Sequence, residues 1–169
     1  GADVCSSDLC KETKMPVVCQ RTLKGSVSCM GIGLHSGQAV RLTLKPAGVD
    51  AGIVFRRSDV SADESEILAL WHNVVDTRMC SVLGNSHGVI VSTVEHIMAA
   101  MAGCGIDNAE SEVDGTEVPI IDGSSEPVVF LIKCTGVCEL EVERPDISLE
   151  DAPERKALTF AWARYSLQY

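Results

Sequence analysis

Glu95 and His96 stand side by side in the stretch STVEHIMAAMAG, Ser92 to Gly103. A carboxylate that can take a proton, next to an imidazole that can hold a metal, is a pairing suited to hydrolysis. In the first turn of a helix, two successive side chains can lean past the helix end toward one point. The positive end of the helix dipole also disfavours imidazolium and keeps His96 in its neutral, metal-binding form. A structural reading competes with this one. Ser92-x-x-Glu95 fits a capping box, in which the serine hydroxyl and the glutamate each satisfy a free backbone N–H. A single histidine is more often partly buried with one ring nitrogen satisfied than it is a ligand. On residue pattern alone the cap is the favoured role for Glu95, and the two-residue Glu-His signal is far weaker than His-Glu-x-x-His.

Other candidate chemistry falls away on spacing. The turn GIGLHSG at 31–37 would need glycine where Ser36 stands to be a dinucleotide fingerprint, and a strand rather than a helix follows it. The spacings Cys5/Cys10 and Cys134/Cys138 are not those of a paired zinc-binding motif. Eight cysteines raise the question of a disulfide framework, but Cys19, Cys29, Cys80 and Cys104 sit in apolar segments, where free cysteine behaves as a small hydrophobe.

The composition narrows the partners. With 24 acidic against 14 basic residues the formal charge is −10, and no Lys/Arg cluster is present to track a phosphate backbone, so direct nucleic-acid binding is not expected. The longest apolar runs, such as VVFLI at 128–132, are too short for a transmembrane segment, and no signal-peptide h-region opens the chain. At 169 residues, 46% hydrophobic and 22% charged, the chain suits one well-cored domain.

The elements that must position Glu95 and His96 follow from periodicity. One strand is expected from about Val17 up to a glycine-rich turn at 31–37, a second through Val40, Leu42 and Leu44, and a third over Gly52–Arg57. Three more are expected over Leu68–Val75, Cys80–Leu83 and Val89–Val91, with a hairpin-type turn at Gly84–Gly88. A helix is expected from about Thr93 to Ala102 with Gly103 as its C-cap, then a strand near 107–113. A second helix follows, capped by Ser124 or Ser125, with Pro127 in its first turn and Gly136 closing it. Many short strands with two principal helices predict an α+β domain, a two-layer sandwich of mostly antiparallel sheet and helices. The expected organisation is an extended arm over 1–16, the domain over 17–138, and an acidic linker with an aromatic tail over 139–169.

Three stretches carry a family resemblance: CQRTLKGSVSCMGIGLHSGQAVRLTLKPAGVDAGIVFRRSD, STVEHIMAAMAGCGIDNA and EVPIIDGSSEPVVFLI. In order and spacing they closely resemble the N-terminal half of UDP-3-O-acyl-N-acetylglucosamine deacetylase, a zinc amidohydrolase of bacterial lipid A synthesis. The wording of AGIVFRRSD and GCGIDNA is most similar to the proteobacterial branch.

The resemblance implies roles residue by residue. His96 would be a zinc ligand, Glu95 the general base, and Leu34, His35 and Ser36 part of the substrate cleft. Cys80 would lie near the site, and Asp122 would support it. From the residues alone, His35 could equally be a turn histidine, Cys80 a buried strand residue, and Asp122 an Asx-turn residue ahead of a helix. The family has two similar α+β domains, the second of which supplies a further histidine and an aspartate to zinc and a histidine as acid.

Here no histidine follows His96, and catalytic zinc normally takes about three protein ligands plus water. Zinc is therefore expected to bind weakly or not at all to this chain alone. Two functions stay open: a deacetylase completed by a second polypeptide or by sequence not present here and acting on a UDP-sugar lipid precursor, or a non-catalytic subunit of a larger assembly. A bacterial cytoplasm is the implied location, with a mitochondrial or other organellar matrix as alternative. A protein partner is expected over the face of the missing domain, where Ile97, Met98 and Met101 are expected to lie uncovered. The tail 155–169, with Phe160, Trp162 and Tyr165, is expected to take part in docking.

Overall fold

Val40, Leu42 and Leu44 alternate with polar neighbours, the period of a strand with one face in a core. In the computed structural model, which describes residues 18–144, these three are buried along β3 (Ala39–Pro46). β3 pairs antiparallel with β2 (Val27–Ile32) and with β9 (Ala109–Val113). β9 runs parallel to β4 (Ile53–Arg57), which pairs antiparallel with β5 (Glu66–Leu68). The result is a five-stranded sheet in the order β2-β3-β9-β4-β5. Its core face carries Leu42, Leu44, Phe55 and Val113. The residues between them carry a charged lattice in which Lys45 reaches Glu110 and Glu112, and Arg56 reaches Glu110 and Glu66.

The helices α1 (Glu95–Gly103) and α2 (Glu126–Thr135) pack into the same core. α2 does so through Val128 and Ile132, one turn apart on a single stripe. Pro127 sits in its first turn, Ser124 Oγ accepts from Glu126 N at 3.2 Å, and Gly136 ends it at φ 82°. A second sheet of three short strands, β6 (Val74–Asp76), β7 (Val82–Gly84) and β8 (Ile90–Ser92), contributes Leu83 and Val91. The described residues thus form an α+β, mostly antiparallel domain with two helices, as the periodicity predicts.

Several expectations are corrected. Leu68–Val75 is not one strand, because the short 3-10 turn Trp71–Asn73 breaks it, held by Asn73 Nδ2 on Leu68 O. The first helix runs through Gly103, and the left-handed residue behind it is Gly105, at φ 66°. Ile97, Met98 and Met101 are not left bare: they are 0%, 4% and 1% exposed, in one core with residues of both sheets. The sequence does not show that the three-stranded sheet joins that core. The acidic segment read as a linker from residue 139 begins as a strand, β10 (Val137–Glu143), paired antiparallel with β1 (Cys19–Leu23). The cysteines within the described residues are all free, and Cys19, Cys29, Cys80 and Cys104 are half-buried. The arm expected over 1–16 and the aromatic tail over 155–169 lie outside the described residues.

Candidate functional site

The capping box does not form. Ser92 belongs to β8, and its Oγ donates to Thr116 O at 3.1 Å rather than serving the helix. Thr93 then turns the chain at φ 62°, in the left-handed region that a β-branched residue rarely occupies. That turn separates Ser92 from the helix start, so Val94 takes the N-cap position without a side-chain bond. Glu95 is freed from capping. Its Oε1 instead accepts from the backbone N–H of Ser81, while its Oε2 is buried and has no hydrogen-bond partner among the described residues.

His96, in the same first turn, is 6% exposed, and its Nε2 lies 2.9 Å from the carbonyl oxygen of Pro119. Burial lowers its pKa from the ordinary histidine value, against the opposing pull of the Pro119 carbonyl and the carboxylates of Glu95 and Asp122. The imidazole is neutral at pH 7, the form that binds metals.

The remaining expected residues lie in turns and bends outside the strands and helices. Cys80, half-buried outside any strand, immediately precedes the Ser81 amide that holds Glu95. It lines a cleft of about 400 Å³ with Asp76, Arg78, Met79 and Val82. Leu34, His35 and Ser36 form the exposed crest of a turn closed by Gly33 N on Gln38 O and by Gly37 N on Gly33 O. Asp122 makes an Asx-turn, its Oδ1 accepting from both the N–H and the hydroxyl of Ser124 at 2.9 Å. Those bonds hold its carboxyl below the usual range, with His96 adding to the effect. Asp122 also borders a second cleft, of about 410 Å³, with Cys29, Met30, Ile121 and Phe130. Ile121 is the second β-branched residue here with positive φ, at 57°.

One residue absent from the sequence reading stands out. Glu117 is 3% exposed and accepts from His35 N at 3.0 Å, Ser36 N at 2.9 Å and Thr93 Oγ1 at 2.7 Å. Burial alone would raise its pKa, but the Thr93 hydroxyl and the Ser36 and His35 amides together outweigh it, lowering the value from 4.5 to about 2. The one available signal was an acidic residue opening the apolar run EVPII.

Two predictions arise here. A carboxyl whose pKa is depressed on folding contributes stability above its unfolded pKa and loses it as pH falls toward the folded one. The chain is therefore expected to lose unfolding free energy between pH 4.5 and about 2 partly through Glu117. Urea unfolding at pH 6 and pH 3 should show a larger loss for the wild type than for Glu117→Gln; equal losses would remove Glu117 from the acid response. The second concerns Gly33, where an added Cβ would fall on Ser36 Oγ and 2.5 Å from Glu117 Oε2. Gly33→Ala should cost about 1–3 kcal/mol by overpacking, measured by chemical denaturation. A change within experimental error would show that the turn has room to spare.

Among the described residues no group of three or more His, Cys, Asp or Glu side chains is placed to hold a metal ion, and the Nε2 of His96 is committed to Pro119 O. Likewise, no helix among the described residues is long and apolar enough to cross a membrane.

The sequence model of the UDP-3-O-acyl N-acetylglycosamine deacetylase family matches residues 20–162. UDP-3-O-acyl-N-acetylglucosamine deacetylase of Teredinibacter turnerae is 53% identical over 131 residues, 78% of this chain and 43% of that protein. The Pseudomonas entomophila enzyme of the same name is 49% identical over 142 residues, 80% of this chain and 46% of its own length. That of Shewanella loihica is 46% identical with the same coverage. All three come from bacteria, and nothing in these matches supports the organellar alternative. The chain spans less than half the length of these curated relatives and corresponds to their N-terminal region. It belongs to the UDP-3-O-acyl N-acetylglycosamine deacetylase family.

Proposed function

We propose that this chain is the N-terminal half of a zinc-dependent deacetylase that hydrolyses the amide of a UDP-3-O-acyl-N-acetylglucosamine in lipid A biosynthesis, and that it is inactive until a second half completes the site. The observation that carries this reading is Glu95 Oε2, a buried carboxylate oxygen with no partner among the described residues, beside a neutral imidazole. A buried acceptor left unpaired costs on the order of 1–3 kcal/mol, a cost that a general base recovers when a water molecule donates to it.

In the proposed reaction Glu95 takes a proton from water as the water oxygen bonds to the amide carbonyl carbon. The C–N bond then breaks and the departing nitrogen receives a proton, leaving acetate and a free amine. The Ser81 N–H fixes the other oxygen of Glu95 and so sets the orientation of the base. His96 is proposed as the one zinc ligand contributed by this half. The turn Leu34–His35–Ser36, Cys80 and Asp122 are proposed to border the substrate.

The proposed partner is a second domain covering this side of the molecule. Exposed apolar side chains stand next to site residues: Leu34 beside His35 and Met79 beside Cys80, at 56% and 81% exposure. A bacterial cytoplasm is the proposed setting.

The test is complementation. The chain is mixed with, or joined to, the C-terminal portion of the Teredinibacter turnerae relative, and amide hydrolysis is assayed with zinc present. Turnover by the pair but not by the chain alone supports the proposal. A folded pair without turnover would assign the chain to the non-catalytic subunit reading.

A further inference from the structure

Glu117 is connected to both halves of the proposed site yet belongs to neither. Its carboxylate accepts from the amides of His35 and Ser36 on one side and from the Thr93 hydroxyl on the other. Among the described residues no lysine or arginine pairs with it, so its charge is met by N–H and O–H dipoles, as in a backbone anion nest. The approach is close enough that Gly33 has no room for a side chain beneath it.

The backbone on either side of Glu117 holds the same region. Ser92 N donates to Thr116 O at 3.0 Å, Val118 N donates to Ser92 O at 3.2 Å, and Pro119 O lies on His96 Nε2. Thr93, in the costly left-handed conformation, is kept there by Ser81 O on its N–H and Glu117 on its hydroxyl. Two residues later the chain reaches Glu95.

We infer that Glu117 is a positioning residue that fixes the His35–Ser36 turn relative to Glu95 and His96. The inference deepens the deacetylase reading and rests on it for its kinetic consequences. The carboxylate acts through the groups it holds and touches neither the reacting amide nor the attacking water. Cutting its two attachments separately has separable effects. Thr93→Val removes only the link to the helix start, whereas Glu117→Gln removes the charge and leaves one acceptor oxygen for the His35 and Ser36 amides and the Thr93 hydroxyl.

The test uses Glu117→Gln, Thr93→Val, the pair together, and Thr93→Ser as the conservative variant. In the complemented enzyme, Thr93→Val is expected to lower kcat about 10- to 100-fold with KM little changed. Glu117→Gln is expected to lower kcat similarly and to raise KM as well. The double variant should lose less kcat than the product of the two single losses, since both substitutions weaken the same link. Thr93→Ser should recover most of what Thr93→Val loses.

Losses that only follow the unfolded fraction at the assay temperature, with no recovery in Thr93→Ser, would overturn the inference. If the wild-type pair shows no turnover, the deacetylase reading fails, and amide hydrogen exchange on the 169-residue chain decides the positioning role by itself. Glu117→Gln should then speed exchange at His35 and Ser36 and also at Thr93 and Met98, leaving Leu42 protected. Faster exchange at the turn alone would sink the coupling. Should Glu117→Gln fail to fold, Thr93→Val against Thr93→Ser decides through the same measurements.

Discussion

Glu95→Gln is expected to lower amide hydrolysis by the complemented enzyme by about 10²–10⁴-fold, the usual contribution of a positioned proton-transfer group. The fold should survive. Glutamine can keep the contact with the Ser81 amide through its carbonyl oxygen. At the other position an NH2 replaces Oε2, exchanging one buried, unpartnered polar atom for another, so the stability change is the difference between two penalties of about 1–3 kcal/mol each. Steady-state kinetics with circular dichroism on the same preparations separates the two effects. Activity within a few-fold of wild type would take the base role away from Glu95.

The second large effect is on stability. Phe55 lies on β4, with no exposed surface, between the parallel partner β9 and the antiparallel partner β5. Phe55→Ala removes the largest fully buried side chain of the core and should cost about 3–5 kcal/mol. A single domain has only about 5–15 kcal/mol to lose. Chemical denaturation of the 169-residue chain reads this directly. A loss under about 1 kcal/mol would mean that the sheet and helices are not tightly packed at that point.

The parts of the fold visible in the sequence are those whose signal is local. Val40, Leu42 and Leu44 announce β3 by alternation, and Pro127 with Gly136 brackets α2. The misread parts depend on a distant partner or on a backbone angle. The capping box was a sound local pattern, undone by the positive φ of Thr93, which no residue type announces when that residue is threonine. β10 carries so many glutamates that it reads as a solvated spacer, and only its pairing with β1, at the other end of the described chain, makes it a strand.

The site divides the same way. Adjacency marks Glu95 and His96 in the sequence, and the family resemblance supplies the roles proposed for them. Glu117 was invisible because its partners His35 and Ser36 are backbone amides more than eighty positions away. An interaction between one side chain and two peptide groups leaves almost no imprint on residue types, since every residue but proline offers the same N–H.

The pairing of β1 with β10 also makes the domain nearly ring-shaped as a connected object. Arg144 N donates to Val18 O at 2.6 Å, so the first and last described residues are hydrogen-bonded neighbours. A short glycine-rich bridge between them would close the backbone into a circle. Opening that circle in the exposed stretch Ala62–Glu64 would give a circular permutant with the same sheets in a new order along the chain. Glu95, His96 and Glu117 would then lie in the first half of that permuted sequence, with the β1–β10 ribbon made from a single uninterrupted hairpin.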